Sequence, residues 1–116
     1  MISTHVLDTA RGCPAAGVPV TLHLVPAPGE RATRGREIAR GATDADGRIR
    51  ELVAPAASLD AGTYSLRFDT AAYFASVGID AFYPEVSVVF VVRDTTQHYH
   101  VPLLLSPYGY STYRGS

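Results

Sequence analysis

His98 and His100 stand two residues apart near the end of this 116-residue chain. On a strand, that spacing puts both imidazoles on one face, about 6.5–7 Å apart at the backbone. Such a pair can bind a metal, share a proton or fill an interface. Zinc would need further ligands. The other candidates are His5, His23, Cys13 and scattered carboxylates, and no spacing groups them. Tyr99, Tyr108, Tyr110 and Tyr113 crowd the same closing segment, around the apolar stretch of Val101, Pro102, Leu103, Leu104 and Leu105. Chain ends usually carry little. An end loaded in this way points to a site.

His5 is the third histidine of interest. It lies among small and apolar neighbours in Ser3-Thr-His-Val-Leu7, where an imidazole is costly to bury unless it is paired. It reads either as a satisfied core residue or as an acid or base near neutrality. His23 sits on the polar parity of an amphipathic strand and is expected to be exposed. Arg48 follows Asp44-Ala-Asp-Gly47. It is either a solvated strand residue or a planar, always-charged fork for a carbonyl or anion. Asp-x-Asp-Gly opens a calcium loop, but Pro55 stands where such a loop needs its bidentate Glu, so a turn is expected. Cys13 in Arg-Gly-Cys-Pro is expected to be a partly buried thiol, with nothing nearby to lower its pKa. Asp8, Asp60, Asp69 and Asp80 adjoin turns or a helix start and read as caps.

The elements that must position these groups are mostly strands. Period-2 patterns dominate. A short strand spans residues 4–8. Val18, Val20, Leu22 and Leu24 share one parity. Residues 31–40 suit an exposed strand near an edge, and residues 48–52 follow the Asp-rich turn. Tyr64, Leu66 and Phe68 alternate with polar residues, and Val86, Val88, Phe90 and Val92 form another buried face. Residues 97–105 and 110–114 close the set. One helix is expected over residues 70–77, capped by Asp69 or Thr70 and stopped by Gly78. Seven to eight short strands joined by Gly, Pro and Asp turns predict an all-β fold, an antiparallel β-sandwich with one short helix.

The strand after residue 97 has an excess. Tyr99, Val101, Leu103 and Leu105 make one apolar face, while His98, His100, Pro102 and Leu104 make a second that is also largely apolar. A strand wet on one side should alternate. The second face therefore meets another element or another chain, and an oligomer with the histidines at its interface is expected.

Composition narrows the classes. One domain covers residues 1–116. Net charge is −1, with ten basic and eleven acidic residues, which gives no overall case for nucleic acid or an anionic membrane. A single cysteine excludes an internal disulfide and a multi-cysteine metal site. No stretch reaches the roughly 20 apolar residues that span a bilayer. No basic-then-apolar leader opens the chain, so a cytoplasmic location is expected, or a periplasmic one if a leader has been removed. There is no phosphate loop, dinucleotide fingerprint or Gly-x-Ser-x-Gly, and nothing asks for a cofactor.

Three segments carry a resemblance: Ser3-Thr-His-Val-Leu-Asp-Thr-Ala-Arg-Gly12, Thr43-Asp-Ala-Asp-Gly-Arg48, and the run from His98 to the closing Tyr113-Arg-Gly-Ser116. Asp69-Thr-Ala-Ala-Tyr-Phe74 and Phe82-Tyr-Pro-Glu85 also fit. Together they resemble the 5-hydroxyisourate hydrolases, the enzyme branch of the transthyretin-like proteins, over essentially the whole chain. The closing Tyr-Arg-Gly-Ser separates that branch from the hormone carriers. The resemblance implies a two-sheet transthyretin-like β-sandwich and a homotetramer, a dimer of dimers with active sites where the dimers meet. It implies hydrolysis of 5-hydroxyisourate to 2-oxo-4-hydroxy-4-carboxy-5-ureidoimidazoline without metal or cofactor. The matching functional positions are His5, Arg48, His100 and Tyr113, with His98 and Ser116 beside them. A neutral histidine, His100 or His5, would activate water. Arg48 would hold the substrate oxygens, and Tyr113 and Ser116 would orient the ring.

Two rivals share the fold. A carrier would hold a small aromatic ligand in the same groove without turning it over, and would favour aliphatic residues where His5, Arg48, His100 and Tyr113 stand. A structural or adhesion module would use the histidines as packing. Fold alone does not decide between them.

Overall fold

The computed structural model describes residues 1–29 and 35–116. Among the described residues, nine strands and one helix run in the order β1 (Ile2–Asp8), β2 (Cys13–Pro14), β3 (Pro19–Leu24), β4 (Arg36–Ala42), β5 (Arg48–Val53), β6 (Gly62–Phe68), α1 (Thr70–Ser76), β7 (Val86–Val92), β8 (Tyr99–Ser106) and β9 (Gly109–Thr112). They form two sheets. One has the order β4-β3-β6-β7. The other runs β2-β1-β8-β9, with β5 also paired to β1. The β-sandwich with one helix is the architecture expected from the sequence. The ninth strand is the two-residue β2, which pairs Leu7–Asp8 with Pro14–Cys13. The edge strand expected over residues 31–40 begins at Arg36; its first four positions, 31–34, lie outside the described residues.

One pairing departs from the antiparallel expectation. β1 and β8 run parallel, with Ser3 opposite His100 and His5 opposite Pro102. Hairpins impose antiparallel pairing on sequence neighbours. No hairpin joins these two strands, so nothing local fixes their relative direction.

Inner and outer faces follow strand parity. Ile2, Thr4, Val6 and Asp8 of β1 point inward and are buried, as are Tyr99, Val101, Leu103 and Leu105 of β8. Val20, Leu22, Tyr64, Leu66 and Phe68 meet them from the other sheet. Each fully buried aliphatic side chain contributes about 1.5–3 kcal/mol. Inward polar groups are all satisfied. The Thr4 hydroxyl donates to the Val101 carbonyl at 2.6 Å. Thr43 donates to the Ala15 carbonyl at 2.6 Å and accepts from the Val18 N–H at 2.9 Å.

α1 is short, so tertiary contacts must hold it. Asp69 caps it by accepting from the Ala72 N–H at 3.0 Å, and Gly78 leaves it with φ +70°. Tyr73 anchors it to the end of β1, where its hydroxyl donates to Asp8 Oδ2 at 2.7 Å. Asp8 Oδ1 accepts the Arg11 N–H at 3.0 Å, so the buried carboxylate has partners on both oxygens. The end of β1 is thereby fixed against the helix.

His23 corrects the sequence reading, because it is only 9% exposed. β3 is a central strand, flanked by β4 and β6. Side chains on both neighbours crowd its outer face, so polar parity there does not mean exposure. No helix among the described residues is long and apolar enough to cross a membrane.

Candidate active site

Ser3, His5 and Leu7 are the outward residues of β1, between outward His100, Pro102 and Leu104 on β8 and outward Arg48 and Arg50 on β5. Ser3, Thr4, Arg48, Arg50, His98, His100 and Ser116 line a groove of about 200 Å³ there.

Arg48 is delivered by the Asp44 turn. Asp44 Oδ1 accepts the N–H groups of Asp46 at 2.9 Å and Arg48 at 3.0 Å. Donation from the Arg48 backbone, with help from that of Asp46 and from the Arg50 and Arg48 charges, holds the Asp44 carboxyl below its usual value. Gly47 has φ +76°, and its carbonyl accepts the Val6 N–H at 2.7 Å. A Cβ on Gly47 would lie 2.3 Å from the Val6 carbonyl oxygen, so only glycine lets the turn press against β1. The first residue past the turn is then Arg48, opposite His5. Asp44-Ala-Asp-Gly47 is thus the turn expected. Arg50 is paired with Asp44 at 3.3 Å, whereas Arg48 makes no ion pair with a described residue.

The histidines differ in how each is held. His5 Nε2 donates to the Asp46 carbonyl at 2.9 Å, which leaves its lone pair on Nδ1. Ser3 Oγ lies 2.7 Å from His98 Nε2 and 2.8 Å from His100 Nδ1. His98 is exposed and stands one residue before β8; His100 is half-buried within it. Burial holds the His100 imidazole below its ordinary value of 6.5, and the positive charges of Arg48, His98 and His5 push the same way. A depressed imidazole keeps its lone pair at neutral pH, which suits a general base.

The closing segment folds back on His100. The Gly115 N–H donates to the His100 carbonyl at 2.8 Å, and the two residues form an isolated bridge. A Cβ on Gly115 would sit 2.4 Å from His100 Cδ2. That contact brings Ser116 into the groove.

Arg48, His98, His100 and Ser116 therefore line one groove, and His5 stands beside it, opposite Arg48. Tyr113 does not join them within one chain. It is 59% exposed and lines a separate groove of about 320 Å³ between β7 and β8, together with Val89, Val91 and Tyr99. His100 lines both grooves. Ser3 and Gly115 were not singled out from the sequence. A serine on a strand and a glycine in a tail have no signal of their own; the one available clue was Ser3 sharing the outward parity of His5. Among the described residues no group of three or more His, Cys, Asp and Glu side chains is placed to hold a metal ion.

The arrangement offers a depressed imidazole, a guanidinium without an ion-pair partner among the described residues, and hydroxyls around a small polar groove. It can activate water beside a carbonyl and hold the oxyanion that forms. Comparison with known proteins agrees with that chemistry. A family model described as HIUase/Transthyretin family matches residues 2–115. The chain is 46% identical to the 5-hydroxyisourate hydrolase of Mus musculus over 115 residues, covering 99% of this chain and 94% of that one. It superposes on the structure of Klebsiella pneumoniae 5-hydroxyisourate hydrolase with a TM-score of 0.82 and 40% identity, covering 99% and 98% of the two chains. It also superposes on sea bream transthyretin in complex with thyroxine, with a TM-score of 0.85 at 34% identity and coverages of 98% and 93%.

Proposed function

The chain belongs to the HIUase/Transthyretin family, and from that membership we propose that it hydrolyses 5-hydroxyisourate to 2-oxo-4-hydroxy-4-carboxy-5-ureidoimidazoline in urate breakdown. The observation that carries the enzymatic reading is the groove itself: a depressed His100 imidazole beside an Arg48 guanidinium that no described residue pairs. A carrier for an apolar ligand has no use for either.

His100 takes a proton from water as the water oxygen attacks a ring carbonyl. Arg48 stabilises the oxyanion that develops. The ring C–N bond then breaks and the departing nitrogen receives the proton back from the imidazolium, leaving a carboxylate and an opened ring. Ser116 within the groove, and His5 beside it, fixed by the Asp46 carbonyl opposite Arg48, hold the planar substrate in register with the base.

We further propose that the working form is a homotetramer, a dimer of dimers. The groove opens on a face that also carries half-buried Leu7 and Leu104, and exposed Val89 and Val91 mark the edge strand β7 of the other sheet. A second subunit covering the groove would add to its walls and exclude water. Tyr113, remote from Arg48 within one chain, would reach substrate through that assembly.

The test is the decay of freshly made 5-hydroxyisourate followed by ultraviolet absorbance, with the solution mass measured by light scattering on the same sample. Acceleration well above the spontaneous rate by a tetramer is expected. Tight binding of an aromatic ligand with no acceleration would leave the carrier reading instead.

A further inference from the structure

Ser3 has one hydroxyl hydrogen and two imidazole nitrogens within reach, at 2.7 Å and 2.8 Å. It is 4% exposed, so water does not readily take the place of either partner. A hydroxyl so placed donates to one ring and accepts from the other. The two histidines therefore cannot choose their tautomers independently. If Ser3 donates to His98 Nε2, it accepts from His100 Nδ1–H, and His100 keeps its lone pair on Nε2. If Ser3 donates to His100 Nδ1, then His98 carries hydrogen on Nε2 and so does His100. The first arrangement is a base and the second an acid, as seen from the groove. No described residue hydrogen-bonds His100 Nε2, whereas the substrate groove lies along this ring.

We propose that Ser3 is a positioning residue for the hydrolysis: its hydroxyl sets His100 as the Nδ1–H tautomer and passes the proton that His100 gains on to His98. The inference rests on the reading of His100 as the base. The step balances. Water gives a proton to His100 Nε2, making an imidazolium. Its Nδ1 proton moves to Ser3 Oγ as the Ser3 hydrogen moves to His98 Nε2. Ser3 ends unchanged, His98 holds the positive charge, and neutral His100 is left with Nε2–H; as that proton passes to the departing nitrogen the relay reverses, His98 returning a proton through Ser3 to His100 Nδ1. The charge thus moves from a half-buried ring beside Arg48 to an exposed one, where solvent stabilises it. The surroundings explain the direction: burial first, then the charges of Arg48 from β5, His98 and His5 from β1, disfavour charge at His100; Arg50 also lines the groove.

Ser3→Ala, Ser3→Thr, His98→Phe and the Ser3→Ala/His98→Phe pair test the relay. In Ser3→Ala, kcat is expected to fall by about tenfold to a hundredfold, with KM changed by no more than about twofold. Ser3→Thr, which restores the hydroxyl, recovers most of that loss. The paired variant is no slower than the slower single variant, because both remove one path. Nitrogen-15 NMR of the histidines, without substrate, is the readout that a packing role would not move. The His100 Nδ1–H tautomer is expected in wild type and its loss in Ser3→Ala. An unchanged tautomer, or fully additive losses in the paired variant, overturns the proposal. Should Ser3→Ala fail to fold, His98→Phe decides: unaltered kcat and an unaltered His100 tautomer overturn it. If wild type does not accelerate 5-hydroxyisourate decay, the hydrolase reading fails, while the tautomer measurement still judges the coupling.

Discussion

Each sheet turns a histidine-bearing face outward, and the two faces differ in how charge is balanced. On the β3-β6-β7 face, His23, Ser65, Arg67, Glu85 and Ser87 line a hollow of about 270 Å³. Its guanidinium has a carboxylate, with Arg67 Nε 3.9 Å from Glu85 Oε2, and Ser87 also turns toward that carboxylate at 3.4 Å. On the β5-β1-β8 face the groove is similar in size, but none of its lining side chains is a carboxylate. Arg50 is neutralised from outside by Asp44, whereas Arg48 is not neutralised by any described residue. Histidine and arginine on a strand face therefore say little by themselves. An unmatched cation beside a depressed imidazole marks the face that we propose meets a substrate oxygen.

The largest break in that contrast is His100→Asn. It is expected to lower kcat/KM by about 10²–10⁴-fold, read from 5-hydroxyisourate decay, with the solution mass unchanged from wild type. Arg48→Gln comes next, at about 10²–10³-fold, and it carries a signature in pH. In wild type the His100 value lies below the ordinary imidazole value, so the base persists to lower pH and is lost only as pH falls through that depressed value. Arg48 is one of the charges holding it down, so its removal moves the acid limb of kcat/KM to higher pH. Gly115→Ala is smaller. It drives a Cβ toward His100 Cδ2 and shifts the ring, costing about tenfold to a hundredfold, with a thermal midpoint close to wild type. His23→Gln, on the charge-balanced face, is expected to leave kcat/KM within about twofold of wild type. A loss there comparable to that of Arg48→Gln would erase the distinction between the faces.

Most of the fold was legible because parity along short strands is a strong signal. The alternations around Leu22, Leu66 and Leu103 all became inner faces, and the Asp69-to-Gly78 signals bounded the helix within a residue or two. The pairing direction of β1 and β8 was not legible, since it depends on partners remote in sequence. The burial of His23 was missed for a related reason: parity tells which way a side chain points and not how tall its neighbours are. In the site, the imidazoles and Arg48 were legible as residue types and through family resemblance. Their grouping was not, because His5 and Arg48 meet only through the register of β1 with β5. Ser3 and Gly115 work by proximity alone. Their roles are set by a bridging hydroxyl and by the absence of a Cβ, neither of which leaves a periodic trace.

The parallel pairing of β1 with β8 also constrains how the protein comes into being. Ser3 and His100 are 97 positions apart, so the ribosome releases one wall of the groove long before it makes the other. Until then the inner edge of β1 waits without its mate, and closing so long a loop is a slow, late event in folding. A nascent chain that stops short of His98 lacks both imidazoles that line the groove.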